Sequence, residues 1–171
     1  MPDAWIRQWG DPALHEPAFA VQTVDELLRR QVRRMQERLL DADGVGLAAT
    51  QVGIMQRLFV YRWDADSPVE VLVNPRIVDA SAERSLFGEG CLSFNHVTVA
   101  VERASAVRVE GQDLDGNELR FDVEGYRASL MQHEIDHLDG ILTLDRAEPE
   151  ERWRVLCELL ETERLDPALA A

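Results

Sequence analysis

Cysteine is nearly absent from this sequence: Cys91 and Cys157 are the only two among 171 residues. Two thiols cannot build a disulfide framework, and a thiolate that holds a metal persists best in a reducing compartment. No apolar run approaches the roughly 20 residues of a membrane helix, and Met1 to Pro17 lack the basic-then-apolar order of a secretory signal. The expected location is the cytoplasm. Basic residues are scarce as well: 18 Lys and Arg stand against 32 Asp and Glu, a formal charge of -14. That balance excludes nucleic acid and anionic membrane surfaces as general partners, since both require a positive footprint. No internal repeat or low-complexity tract is present.

What remains is an acidic globular chain, 46% hydrophobic, of a size that supports one domain over residues 1–171 with a real core. Residues 1–22, with prolines at 2, 12 and 17, read as an extended N-terminal arm without chemistry of its own, and His15 within it as a surface group. A capping box at Thr23 and Glu26 opens a helix seated through Leu27, Leu28, Met35, Leu39 and Leu40, with Gly44 as its stop. Strands follow at Arg57–Arg62, Val69–Asn74, Arg76–Asp79, Val97–Val101, Ala106–Gly111 and Glu118–Val123, with a hairpin turn at Asp115-Gly116. A second helix begins at Gly125, and a last one opens at Pro149 with Trp153, Leu156, Cys157 and Leu160 as its core stripe. Ala-rich residues 166–171 read as a frayed tail. The expected fold is α+β: antiparallel sheets packed around a central metal-binding helix, with one helix before them and one after.

That central helix carries Gln132-His133-Glu134-Ile135-Asp136-His137-Leu138-Asp139-Gly140. Histidines four apart project from one helix face, where both can grip one ion, and Glu134 stands beside them as a candidate base. A catalytic ion needs a third protein ligand and an open position. Thr143 stands where the protease pattern H-E-x-x-H-x-x-G-x-x-H requires its last histidine, so that source is closed. Glu158 or Glu161 downstream, and Cys91 upstream, remain open.

Two further stretches carry information. Gly44-Val45-Gly46-Leu47-Ala48-Ala49-Thr50-Gln51 leaves its backbone bare enough for a ligand to lie against it and ends on a polar amide, yet it lacks the Gly-Lys-Ser/Thr of a phosphate loop. Gly88-Glu89-Gly90-Cys91-Leu92-Ser93 holds a cysteine between a glycine and a short polar turn, a setting that suits a thiolate ligand for Zn²⁺ or Fe²⁺ better than core packing. Cys157 reads as core.

Taken together and in this order, G-x-G-L-A-A-x-Q, E-G-C-L-S and Q-H-E-x-D-H resemble the peptide deformylases, and the resemblance extends from about Trp5 to Leu144. It implies a metal-dependent hydrolase that removes the formyl group from N-terminal formyl-methionine and releases formate. It further implies Cys91, His133 and His137 as metal ligands and Glu134 as acid and base. Gln51 and the Leu92 backbone amide become the oxyanion site, and Gly44, Val45 and Gly46 the substrate-binding residues, with Gly46 pairing with the substrate backbone. The implied ion is Fe²⁺ in the cell, replaceable by Zn²⁺, Ni²⁺ or Co²⁺. The implied partners are N-formylmethionyl peptides or nascent chains near the ribosome. Phe94-Asn95 and Thr98 depart from the family's usual aliphatic-proline and arginine positions, and both touch the cleft rim. From Glu148 onward there are seven acidic and three basic residues, so a basic ribosome-docking tail is not evident. Two rival readings are a zinc endopeptidase completed by Glu158 or Glu161, and a degenerate relative that only binds peptides.

Overall fold

The computed structural model describes residues 5–165, and the side chains of all of these except 95, 96 and 162–165; the expected frayed tail therefore lies outside the described residues. Among the described residues seven strands and four α-helices follow one another: α1 (Glu26–Asp41), β1 (Gly46–Ala48), β2 (Leu58–Tyr61), β3 (Glu70–Ala80), β4 (Arg84–Cys91), β5 (Phe94–Ala104), β6 (Ala106–Gln112), β7 (Glu118–Glu124), α2 (Tyr126–Leu138), α3 (Thr143–Arg146) and α4 (Pro149–Leu165). These seven strands pair antiparallel throughout, and one isolated bridge, Phe19 with Gln56, is parallel. One sheet has the order β1-β2-β3-β6-β7, and β4 with β5 forms a separate hairpin. The α+β class read from the sequence holds.

Alternation in β2 shows why the five-stranded sheet is covered on both faces. Phe59 and Tyr61 point into a core with Met131, Ile135 and Leu138 of α2, while Leu58 and Val60 meet Leu28, Val32, Met35 and Leu39 of α1. A third core joins the β4–β5 hairpin to α3 and α4 through Val99, Val101, Leu142, Leu144, Val155 and Leu159. Helix α2 lies where these layers meet, and every residue from Ala128 to Leu138 is buried.

Several local expectations are corrected. Asp25, not Thr23, caps α1 by accepting the Leu28 N–H at 2.8 Å, because its backbone is the last extended one before the helix. Leu27 and Leu40 face solvent, and the seat is the single stripe Leu28, Val32, Met35 and Leu39. The left-handed residue after α1 is Asp43, with φ 49, rather than Gly44; a short polar side chain tolerates that conformation. The two expected strands around Pro75 are one strand, β3, with a register shift between Val73 and Arg76 and a left-handed Asn74. A bulge is where an interior strand accepts proline. Strand β4 was not foreseen, since glycines at 88 and 90 conceal its pattern. In α4 the buried positions are Val155 and Leu159, whereas Trp153 and Leu160 are exposed and Cys157 is only partly covered. The expected turn at Asp115-Gly116 forms the tip of the β6–β7 hairpin, where the Asp113 carboxylate accepts the N–H groups of Asp115 and Asn117.

Before α1 the chain has one short 3-10 turn, Pro12–His15, with Leu14 buried beneath it and His15 exposed. Its backbone is bonded to distant segments: Arg7 N–H to the Gln51 carbonyl, Trp9 N–H to the Ser93 carbonyl, Ala18 N–H to the Leu138 carbonyl, Phe19 to Met55 and Arg57, and Val21 N–H to the Asn74 side chain.

Candidate metal centre

Cys91 ends β4 at a register shift in the hairpin, and His133 and His137 stand one turn apart on α2. One ligand atom from each of the three lies within 4.8 Å of the others. Cys91 Sγ is 3.2 Å from His137 Nε2. His133 Nδ1 is 2.9 Å from Glu89 Oε2, which turns its Nε2 toward the same point. A sulfur and two ring nitrogens crowded in this way repel one another unless a proton or a cation lies between them. The donor set is the soft-plus-imidazole combination that suits a divalent transition ion. The residues present therefore fit a metal, and the group is not confined to the helix, because its sulfur comes from a strand.

Glu89 anchors the site from behind. Its Oε1 accepts from Ser129 Oγ at 2.7 Å and Arg103 Nε at 2.8 Å, and its Oε2 accepts from Arg103 at 3.0 Å as well as from His133. Burial pushes this carboxyl up, but the hydrogen bonds from His133 and Arg103 outweigh it and hold the pKa down to about 2. Arg103 is itself buried and also donates to Asp136, whose carboxylate accepts two bonds from Arg146 at 2.7 and 3.0 Å. Such partners fix the tautomer and orientation of a ligand histidine. His137 is held well below the ordinary histidine value, by burial first and then by its neighbour His133.

Glu134 is buried, one of its oxygens has no hydrogen-bond partner among the described residues, and burial raises its pKa to about 7. Gln51 Oε1 accepts the Ala48 N–H at 2.8 Å. That bond fixes the amide so that its amino group faces Ser93 Oγ at 3.0 Å and Cys91 Sγ at 3.6 Å. Thr50 Oγ donates to the His137 carbonyl at 3.1 Å, tying this turn to α2. Leu92 lines a cavity of about 420 Å³ together with Gly44, Val45, Gly46, Gln51, Cys91 and Glu134.

Strand β1 is the sheet's edge on this side. The Arg62 N–H donates to the Val45 carbonyl, so Val45 and Arg62 form a hydrogen-bonded pair. The next pair, Gly46 and Tyr61, is then non-hydrogen-bonded, and both backbone polar groups of Gly46 point to the open edge. The buried Arg62 guanidinium braces the strand by donating to the Gly44 carbonyl at 2.7 Å and to Asp43 at 2.8 Å.

The sequence profile described as polypeptide deformylase matches residues 3–153. The chain belongs to this family. A peptide deformylase of Thermotoga neapolitana is 44% identical over 156 residues, 91% of this chain and 94% of the relative. One from Dictyoglomus thermophilum is 45% identical over 142 residues, 83% of this chain and 91% of the relative. The crystal structure of a peptide deformylase from Legionella pneumophila has a TM-score of 0.87 at 37% identity, covering 94% of this chain and 95% of that one. For the Thermotoga maritima peptide deformylase the TM-score is 0.80 at 42% identity, with 84% and 97% covered. As a member of the family the chain is a metal-dependent hydrolase that removes the N-formyl group of nascent polypeptides.

Within the deformylase frame, the downstream carboxylates of the endopeptidase reading are not at the site: Glu158 and Glu161 are exposed on α4, and Glu158 pairs with Arg154. Thr143 sits 3.4 Å from His133 Nδ1, on the side of the ring away from Cys91. Phe94 is buried in the third core, and Thr98 is exposed at the cleft rim with its carbonyl taken by Arg154; the side chain of Asn95 lies outside the described residues. Sequence reasoning missed Glu89, Ser129, Arg103 and Asp136 as supports of the histidines. Glu89 and Asp136 stood inside the motifs as a signal, whereas Arg103 gave none.

Proposed function

We propose that Cys91, His133 and His137 hold one divalent ion, Fe²⁺ in the cell with Zn²⁺, Ni²⁺ or Co²⁺ as replacements, and that Glu134 moves the protons of formamide hydrolysis. The single observation that carries this is the convergence of one sulfur and two imidazoles beside a buried carboxylate oxygen that has no hydrogen-bond partner among the described residues. An ion held there supplies Lewis acidity, which brings the pKa of a water near neutrality. Glu134 accepts the proton of the attacking water as the water oxygen bonds to the formyl carbon. The Gln51 amino hydrogen that faces Cys91 Sγ turns to the formyl oxygen and the Leu92 N–H donates beside it as charge gathers there, each donor lowering the barrier by about 3 to 4 kcal/mol. Glu134 then returns its proton to the amine as the C–N bond breaks, leaving formate and a free N-terminal methionine. Gly44, Val45 and Gly46 form the strand along which the substrate lies, with the outward N–H and C=O of Gly46 bonding its backbone. Residues 1–171 act as one catalytic domain in the cytoplasm, on formyl-methionyl chains as they leave the ribosome. Among the described residues no helix is long and apolar enough to cross a membrane.

The test is formate release from formyl-Met-Ala-Ser by anaerobically metallated protein, with Cys91→Ala, Glu158→Ala and Glu161→Ala beside the wild type. Release that survives Cys91→Ala with full metal content, but not loss of either glutamate, would overturn the ligand assignment. Full metal occupancy without any release would mark a peptide-binding relative instead.

A further inference from the structure

The Cys91 sulfur accepts a hydrogen bond from the backbone N–H of Ser93 at 3.4 Å. That N–H belongs to the peptide group whose carbonyl is Leu92's, and Gln8 Nε2 donates to this carbonyl at 3.1 Å. The other hydrogen of the same amino group goes to the Ile6 carbonyl, also at 3.1 Å. Both acceptors are carbonyl oxygens, so the amide orientation is fixed. Its own Oε1 is buried with no partner among the described residues. A side chain that leaves an acceptor unpaired while using both donors is held there for what it donates to. On either side, Arg7 N–H and Trp9 N–H bond the Gln51 and Ser93 carbonyls, each at 2.8 Å.

We infer that Gln8 is a positioning residue for the metal-binding sulfur, acting through the Leu92–Ser93 peptide plane. This rests on the reading of Cys91 as a ligand. A donor on the carbonyl end of a peptide polarises the N–H at its other end and fixes the plane in which that N–H lies. The N–H in turn withdraws charge from the thiolate. Without Gln8 the Leu92 carbonyl loses its side-chain anchor, the bond to sulfur weakens, and the sulfur becomes a more electron-rich donor. Outer partners of this kind tune ligand basicity and ion electronics without touching the ion.

Co²⁺-substituted protein reads this directly, because a thiolate on cobalt gives a charge-transfer absorption band whose energy falls as the sulfur gains electron density. Gln8→Leu, which keeps bulk but cannot donate, should move the band to longer wavelength and lower kcat/KM about tenfold. Gln8→Met serves as a second variant should the first not fold. Ile6→Ala, which loosens the buried packing of the same segment without removing the donor, should lower the thermal midpoint and leave the band where it is. An unmoved band in both Gln8 variants, or an equal movement in Ile6→Ala, overturns the inference. Absence of any thiolate band in the wild-type cobalt protein overturns the ligand reading beneath it, an outcome distinct from the others.

Discussion

A side-chain carbon on Gly46 would fall inside the contact radius of the Glu134 carboxylate oxygen. The glycine is thus a seat for the Glu134 carboxylate as well as a piece of edge strand. Gly46→Ala should keep the metal but push Glu134 from its position, and turnover should drop by the 10² to 10⁴ that a misplaced proton-transfer group typically costs, about the loss expected for Glu134→Gln. Formate release with metal content measured in parallel checks this. A Gly46→Ala enzyme with more than about a tenth of wild-type turnover would place the base elsewhere.

Arg103 is the only guanidinium bonded to Glu89 among the described residues, and it shares Asp136 with Arg146. Arg103→Met leaves two buried carboxylates undercompensated, a change that costs on the order of 3 to 5 kcal/mol in comparable settings. Urea unfolding should show that loss. A variant within about 1 kcal/mol of wild type would mean the network reorganises around Arg146.

Acid should loosen α4 through Glu151. The Arg154 guanidinium beside it, helped by the Ala100 N–H, holds this carboxyl down to about 2 from an ordinary 4.5. Because the folded value lies below the ordinary one, the stabilisation is complete above pH 4.5 and disappears as pH falls toward 2. The stability gap between wild type and Glu151→Gln should therefore narrow on going from about pH 5 to pH 3. A gap that stays constant over that range would contradict it.

Oxygen should distinguish the ions. Fe²⁺ beside a thiolate invites oxidation of both, so the iron form should lose activity in air while the Ni²⁺ form persists, with modification on Cys91. Cys157 is the internal control, being partly covered on α4 and outside the ligand group. Equal aerobic lifetimes, or peptide masses placing the oxidation on Cys157, would remove the basis for an iron–thiolate centre.

The chemistry-bearing residues were legible because their spacing is local. His133 and His137 share one helix face whatever surrounds them, and Cys91 sits in a six-residue run that admits few other readings. What the sequence concealed was long-range or orientational. Arg103 becomes a support only when β5 is laid against α2, where the Gln132 side chain also bonds the Ala104 backbone. Trp153 has the composition of a core residue but the wrong phase, since α4 meets β5 through Val155 and Leu159. Strand β4 was missed because its glycines, which give the backbone room near the cleft, erase the alternation by which strands are read.

The strap from Ile6 to Val21 is made before every segment it binds. Gln51, Ser93 and Leu138 all follow it in the chain, the last at the end of α2, and closing loops of that length is slow and entropically costly until both walls exist. The strap therefore has nothing to bind until the segments that follow it in the chain are in place. The wall bearing Leu92 and Ser93 is finished only when the earliest part of the chain returns to it.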